Sequence, residues 1–259
     1  MSTGDAPDLN YKLEGPEDAP VLVLSNSLGT DMEMWDPQAS ALRGRLRILR
    51  YDARGHGGSP SPPGPYAMED LGRDVISLLD GLGIERASFC GLSVGGMTGM
   101  WLASEWPERV ERLVLICTSA LLGPKSVWDE RIATARMRGM EALVEPVIER
   151  WFTPAFRADH PETIRRMART LQETDPEGYA GCCAAIRDMD LRERLPSIGA
   201  PTLVLSAAED PAAPPEHGRL IRDAVPGARF EVIPEASHIA NVERPEEITH
   251  LILTHLEAT

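Results

Sequence analysis

Residues 87–100 read ASFCGLSVGGMTGM: a β-prone approach, a serine fenced by Gly91 and Gly95, then small residues at helical spacing. A serine on a tight turn between a strand and a helix is forced into a strained backbone. Side chains two places before and after it would obstruct that turn, and glycines relieve the obstruction. The turn would lift the hydroxyl of Ser93 above a sheet. It would also aim the amide of Val94, at a helix N-terminus, toward charge developing on a bound carbonyl oxygen. The competing reading is an ordinary glycine-rich turn in a chain that has 22 glycines. The serine alone does not decide between the two, so the surrounding chain must.

Outward from this stretch, short apolar runs alternate with amphipathic segments. PVLVLSNS (20–27), RLRILRYD (45–52), RASFCGL (86–92), RVERLVLICTS (109–119), APTLVLSA (200–207) and ARFEVIPEA (228–236) have the length and composition of buried strands. AMEDLGRDVISLLDGLG (67–83) carries Leu71, Val75, Leu78 and Leu79 on one helical face, and GMTGMWLASEWPE (96–108) is also helix-like. The alternation predicts an α/β fold with a mostly parallel central sheet flanked by helices. Between about 120 and 198 only helical patterns occur. Residues 1–120 and 199–259 are therefore expected to form the core domain and residues 121–198 a helical cap inserted over one end of the sheet, with Pro124 and Pro196 as hinges.

A serine hydroxyl is a poor nucleophile near neutral pH unless a base takes its proton, and the base needs an orienting carboxylate. On a doubly wound sheet with a serine elbow these partners follow in the order acid, then histidine, each in a loop after a late strand. EDPAAPPEHG places Asp210 just beyond the run at 200–207, and EASHIANVERP places His238 just beyond the last run. Glu209 is a rival acid, but the shorter Asp210 directly before a proline better suits a fixed carboxylate. Otherwise Asp210 is a turn residue and His238 a solvated loop histidine. His56, His160, His217, His250 and His255 do not follow a late strand. A second oxyanion donor is expected from the loop SNSLGTDMEMW, with the backbone amide of Leu28 as candidate; otherwise this is a turn at Gly29.

RYDARGHGGSP (50–60) is read as a structural turn in which Asp52, Arg54 and His56 brace the active-site face. Trp128 and Trp151 either line a substrate pocket or pack helices together, with packing preferred. Lys125, Arg131, Arg136 and Arg187 are candidate partners for a substrate carboxylate, but the preferred reading of each is a solvated helix charge. The histidines lack metal-ligand spacing, and GLSVGG lacks the glycine order of a dinucleotide turn, so neither metal nor cofactor is expected.

Composition narrows the partners. Among 259 residues, 26 Lys and Arg stand against 40 Asp and Glu, a formal charge of −14. Such a surface repels nucleic acid and anionic lipid, although a small anionic substrate could still meet a local positive pocket. No apolar run approaches the length of a membrane helix, and MSTGDAPDLNYKLEG does not read as a secretory signal. Cys90, Cys117, Cys182 and Cys183 form neither a disulfide framework nor a zinc pattern. They are expected to be reduced and mostly buried in a cytoplasmic protein.

With these residues assembled, the chain resembles the α/β-hydrolase superfamily over nearly its full length. More narrowly it is similar to the 3-oxoadipate enol-lactone hydrolases, through SNSLGTDMEMWD, YDARGHGGSP, FCGLSVGGMTGMWLA, GYAGCCAAIRDMDLR, EDPAAPPEHG and SHIANVERP. The resemblance implies an α/β-hydrolase fold and cofactor-independent opening of a lactone through an acyl-serine. Ser93 would attack, His238 would carry the proton, Asp210 would orient it, and the Leu28 and Val94 amides would hold the oxyanion. A small-ester carboxylesterase is the nearest rival, and a haloperoxidase-like or carbon–carbon bond hydrolase uses the same triad. A receptor that keeps the triad but only binds its ligand belongs to another class. Turnover abolished by Ser93→Ala would separate enzyme from receptor.

Overall fold

The computed structural model describes residues 8–258. Among them seven strands form one sheet: β1 (Tyr11–Glu14), β2 (Val21–Ser25), β3 (Arg47–Tyr51), β4 (Ala87–Leu92), β5 (Val110–Ile116), β6 (Thr202–Ala207) and β7 (Arg229–Ile233). Their spatial order is β1-β3-β2-β4-β5-β6-β7, parallel throughout except that β1 runs antiparallel to β3. The six apolar runs of the sequence are β2 to β7. β4 and β6 are buried at every residue, as a strand covered on both faces must be. β1 is exposed or half-buried throughout. It covers the edge of β3, pairing Tyr11 with Tyr51 through Glu14 with Ile48, and such a short polar edge strand has no apolar signature.

Strand order places the helices. From β2 the chain steps to β3 on one side; from β3 it crosses back to β4 and continues through β5 and β6 to β7 on the other. Parallel crossovers are right-handed. Consequently α1 (Asp36–Leu42) lies on the face opposite α2 (Met68–Gly81) and α3 (Val94–Glu105). α2 turns Leu71, Val75, Ile76 and Leu79 inward and leaves Leu78 half-buried. It crosses α3 so closely that a Cβ on Gly72 would come 2.1 Å from the Trp101 indole. Since β2 and β4 are neighbours whose following helices go to opposite faces, a crevice opens beyond their carboxyl ends, the usual place for a ligand in such a sheet.

Between β5 and β6 the chain is helical: α4 (Lys125–Arg138), α5 (Glu141–Trp151), α6 (Pro154–Asp159), α7 (Pro161–Glu173) and α8 (Pro176–Asp188). α6, α7 and α8 each begin with proline, whose missing N–H costs nothing there. Thr153 and Asp175 cap α6 and α8, accepting from Phe156 N at 3.2 Å and Gly178 N at 2.7 Å. Pro124 precedes α4 as its N-cap, and Pro196 sits in a short turn before β6. α8 lies against the loop after β3. A Cβ on Gly178 would come 2.3 Å from Gly55 Cα, and one on Gly181 would come 2.5 Å from the Tyr66 ring, so the small residues of GYAGCC permit the approach.

After β6 come α9 (Pro215–Ala224), then α10 (Ala240–Glu243) and α11 (Pro245–Glu257) beyond β7. Gln38 of α1 donates to Asn241 O of α10 at 3.0 Å, and Arg45, just after α1, pairs with Glu257 of α11. All four cysteines are free and buried. No helix among the described residues is long and apolar enough to cross a membrane.

Candidate active site

Ser93 ends the β4 approach and caps α3 with φ 56° and ψ −117°. A non-glycine residue held there costs roughly 1–3 kcal/mol, and the surroundings must enforce it. Ser93 N donates to Ile116 O at 2.9 Å, and its carbonyl accepts from Thr118 Oγ1 at 2.7 Å and Met97 N at 3.0 Å. Gly91 and Gly95 are not themselves left-handed; what they provide is room. A Cβ on Gly91 would fall 2.2 Å from the Gly95 carbonyl, and one on Gly95 would fall 2.3 Å from Ser25 O.

Gly95 N donates to Asn26 O at 3.0 Å, which fastens the elbow to the loop after β2. Asn26 also donates from Nδ2 to Tyr51 O at 2.8 Å, and Thr30 Oγ1 closes the loop on Ser27 O at 2.8 Å. These bonds hold the backbone around Leu28. Val94 N opens α3 and so has no acceptor within its helix. Among the described residues neither the Val94 nor the Leu28 amide donates a hydrogen bond.

Asp210 follows β6 and is buried. Its Oδ1 accepts from Ala212 N at 2.8 Å and Ala213 N at 3.1 Å, while Oδ2 lies 2.8 Å from Nδ1 of the buried His238 beyond β7. Burial pushes the Asp210 carboxyl up, but the charge and hydrogen bond of His238 and the two amides outweigh it and hold it below the ordinary carboxylate value. Glu209 is exposed, and its amide, donating to Ala236 O at 2.9 Å, turns the chain so that Asp210 points inward. His217 instead meets Ser119 Oγ at 2.6 Å, and His56 meets Arg54 O at 3.1 Å.

Ser93, Asp210 and His238 stand beyond the carboxyl ends of parallel strands, hence on one edge of the sheet. Among the described residues no hydrogen bond closes between Ser93 Oγ and the imidazole. Cys117, after β5, lies beside Asp210. Burial first, then the Asp210 charge, keeps its thiol well above the usual range, so it stays neutral.

The YDARGHGGSP turn is a brace. Asp52 accepts from Met32 N at 2.7 Å, Asn10 Nδ2 at 2.7 Å and Gly58 N at 2.9 Å, and Arg54 grips Asp74 through two bonds of 2.6 Å. Trp128 is buried and donates to Leu122 O at 2.8 Å, a packing role. Trp151 is buried with its ring 3.6 Å from where a Gly29 Cβ would stand, next to Leu28.

Residues 20–245 match the family model for the alpha/beta hydrolase fold. The chain belongs to the alpha/beta hydrolase fold family. As a member of it, the chain is 41% identical to 3-oxoadipate enol-lactonase 2 of Acinetobacter baylyi over 94% of its own length and 91% of that protein. The crystal structure of the enol-lactonase from Burkholderia xenovorans superposes with a TM-score of 0.96 at 44% identity, covering 98% of each chain. A malate-bound thermophilic esterase from Thermogutta terrifontis follows the same fold with a TM-score of 0.92 at 29% identity, covering 99% of this chain and 95% of that one.

Within this hydrolase fold two features lay beyond sequence reasoning. Glu243, buried in α10, accepts through Oε1 from Thr153 N at 2.7 Å and Thr153 Oγ1 at 2.9 Å, and through Oε2 from Ser237 N. It thereby joins the helical insertion to the residue before His238. Tyr179 of α8 is fully buried with its hydroxyl unpartnered. Both residues lie in stretches that carry the family resemblance, SHIANVERP and GYAGCCAAIRDMDLR, but neither stretch says what its polar group faces.

Proposed function

We propose that the chain hydrolyses 3-oxoadipate enol-lactone to 3-oxoadipate in the protocatechuate branch of aromatic catabolism, in the cytoplasm, through a covalent acyl-serine. The observation that carries this reading is the buried His238–Asp210 pair standing beyond the same sheet edge as Ser93 on its strained turn. Likeness over nearly the full chain to proteins named as enol-lactonases supports the choice of substrate. Four free, buried cysteines suit a reducing compartment.

In this mechanism His238 Nε2 takes the Ser93 proton as Oγ bonds to the lactone carbonyl carbon, and the Leu28 and Val94 amides receive the oxyanion. Collapse breaks the ring C–O bond and expels an enolate, which takes the proton back from His238 and becomes the ketone. Water then attacks the acyl-serine, losing its proton to His238; the C–Oγ bond breaks, Ser93 Oγ takes that proton back from His238, and the second carboxylate is released. The Ser93–His238 hydrogen bond forms as substrate enters, as such bonds often do on leaving the unliganded state.

The malate-bound esterase of similar fold favours one rival, a small-ester carboxylesterase. A spectrophotometric assay of enzymatically generated enol-lactone beside p-nitrophenyl acetate distinguishes them. We expect kcat/KM to favour the lactone strongly, with both activities lost in Ser93→Ala. Preference for the aryl ester would replace the lactonase reading with that of a generic esterase, and stoichiometric acylation without turnover would favour a receptor.

A further inference from the structure

Most cations of the helical insertion are either ion-paired or, like Arg138 and Arg169, exposed to water. Lys125 pairs with Asp188 at 3.1 Å, Arg136 with Glu177 at 2.9 Å, Arg157 with Glu149 at 3.7 Å and Arg187 with Asp129 at 2.8 Å. Arg131 and Arg150 differ. Among the described residues neither guanidinium has a carboxylate within ion-pair distance, although both side chains are half-buried. Arg131 lies over the Trp128 ring at 5.2 Å and the Tyr179 ring at 5.9 Å, and its Nε is buried without an acceptor. Burial first, then the nearby charge of Arg131, draws Arg150 below the ordinary guanidinium value. Two guanidinium groups thus lie near each other, each half-withdrawn from water.

Tyr179 completes the set. It is fully buried, its hydroxyl has no partner, and it lies close enough to both arginines to feel their charges. Burial raises the phenol, and the arginines only partly offset that, so the hydroxyl stays a proton donor. The ring packs beside the loop after β2: its Cε2 is 3.3 Å from where a Gly29 Cβ would stand, one residue from Leu28.

Packing alone does not account for this arrangement. A guanidinium over aromatic rings gains about 0.5–2 kcal/mol, but that leaves a buried N–H and a buried O–H without acceptors, which proteins seldom tolerate, and it does nothing for the Arg131–Arg150 repulsion. One carboxylate would remedy all three defects, because it accepts from several donors and carries the opposite charge.

We propose that Arg131 and Arg150, with the Tyr179 hydroxyl, form the site that binds the carboxylate of an anionic substrate and so set the enzyme's preference for acid-bearing lactones or esters. This rests on the reading of the crevice as a hydrolase site but not on the identity of the lactone. Arg131 and Arg150 act in binding, whereas Ser93 and His238 act on the reacting atoms and Asp210 orients His238.

Calorimetric binding of succinate and of uncharged dimethyl succinate to the full-length protein tests the site directly. Wild type should bind succinate and not the diester. Arg131→Gln and Arg150→Gln should each weaken succinate by about tenfold or more, as loss of a charge-assisted hydrogen bond implies, and Arg131→Lys should recover part of the loss. Arg136→Gln, on a matched exposed pair, should bind as wild type does. On the enol-lactone the glutamine variants should raise KM more than they lower kcat, with a loss in kcat/KM at least about tenfold greater than on p-nitrophenyl acetate. Succinate affinity equal in wild type and both glutamine variants overturns the proposal, as does equal loss on charged and neutral substrates. If wild type ignores the lactone yet binds succinate through the two arginines, the lactone reading falls and the anion site stands.

Discussion

Arg54, in the loop after β3, and Arg150, at the end of α5, are both largely withdrawn from water, yet their surroundings are opposite. Arg54 has two 2.6 Å bonds to Asp74, a third at 3.3 Å to Asp70 O, and a face of Tyr66 at 5.1 Å. Arg150 has a second arginine for a neighbour. The sheet-edge scaffold neutralises its charges internally because its task is to hold still. The insertion leaves two charges unmatched, and an unmatched buried charge is a cost that only a ligand of opposite sign removes.

Several substitutions would break or sharpen that contrast. The largest effect is expected at the chemical centre: Ser93→Ala should lower kcat by about 10⁴-fold or more, while succinate binding in calorimetry stays near the wild-type value because the anion site lies in the insertion. Next, Arg54→Met should cost about 3–5 kcal/mol of unfolding free energy by stranding buried Asp74, whereas Arg150→Met should be neutral or stabilising within about 1 kcal/mol. Denaturant titration of the pair checks this, and equal destabilisation would erase the distinction between them.

A smaller effect appears in acid. Asp210 is held below its ordinary value of 3.8, so the stability it contributes is complete above that value and is lost as pH falls through the lower folded-state value. Asp210→Asn should therefore flatten the fall of Tm below pH 3.8, and an unchanged acid limb would count against the His238 pairing. Smallest, Tyr179→Phe removes an unpartnered hydroxyl. It should alter stability by less than about 1 kcal/mol while weakening succinate a few-fold.

The same contrast explains how far the molecule was legible from its residues. β2 to β7 announced themselves because strands covered on both faces carry unbroken apolar runs, and Gly91-Leu92-Ser93-Val94-Gly95 reports local sterics that no distant contact needs to supply. Asp210 and His238, which the structure pairs at 2.8 Å, could be singled out as candidates because chain order on a parallel sheet fixes which loops reach one edge. β1 escaped because YKLE is polar and short. Arg131 stood in the sequence among four cations that looked alike. Only the crossing of α4 and α8 shows that Asp188, Glu177 and Asp129 take three of them and leave the fourth. Arg150 and Glu243 depend on how α5 docks against the loop after β7, which helical periodicity does not encode.

That docking also bears on exchange of insertions between relatives. Ser237 Oγ donates to Arg150 O at 2.8 Å, Ile239 N donates to Trp151 O at 3.0 Å, and the Glu243 carboxylate is shared by Thr153 and Ser237. The loop that carries His238 is thus splinted by the helical insertion. A foreign insertion lacking the equivalent of Thr153 would leave the Glu243 carboxylate short of a partner and loosen the imidazole beside it, so grafts at this position need to carry the joint with them.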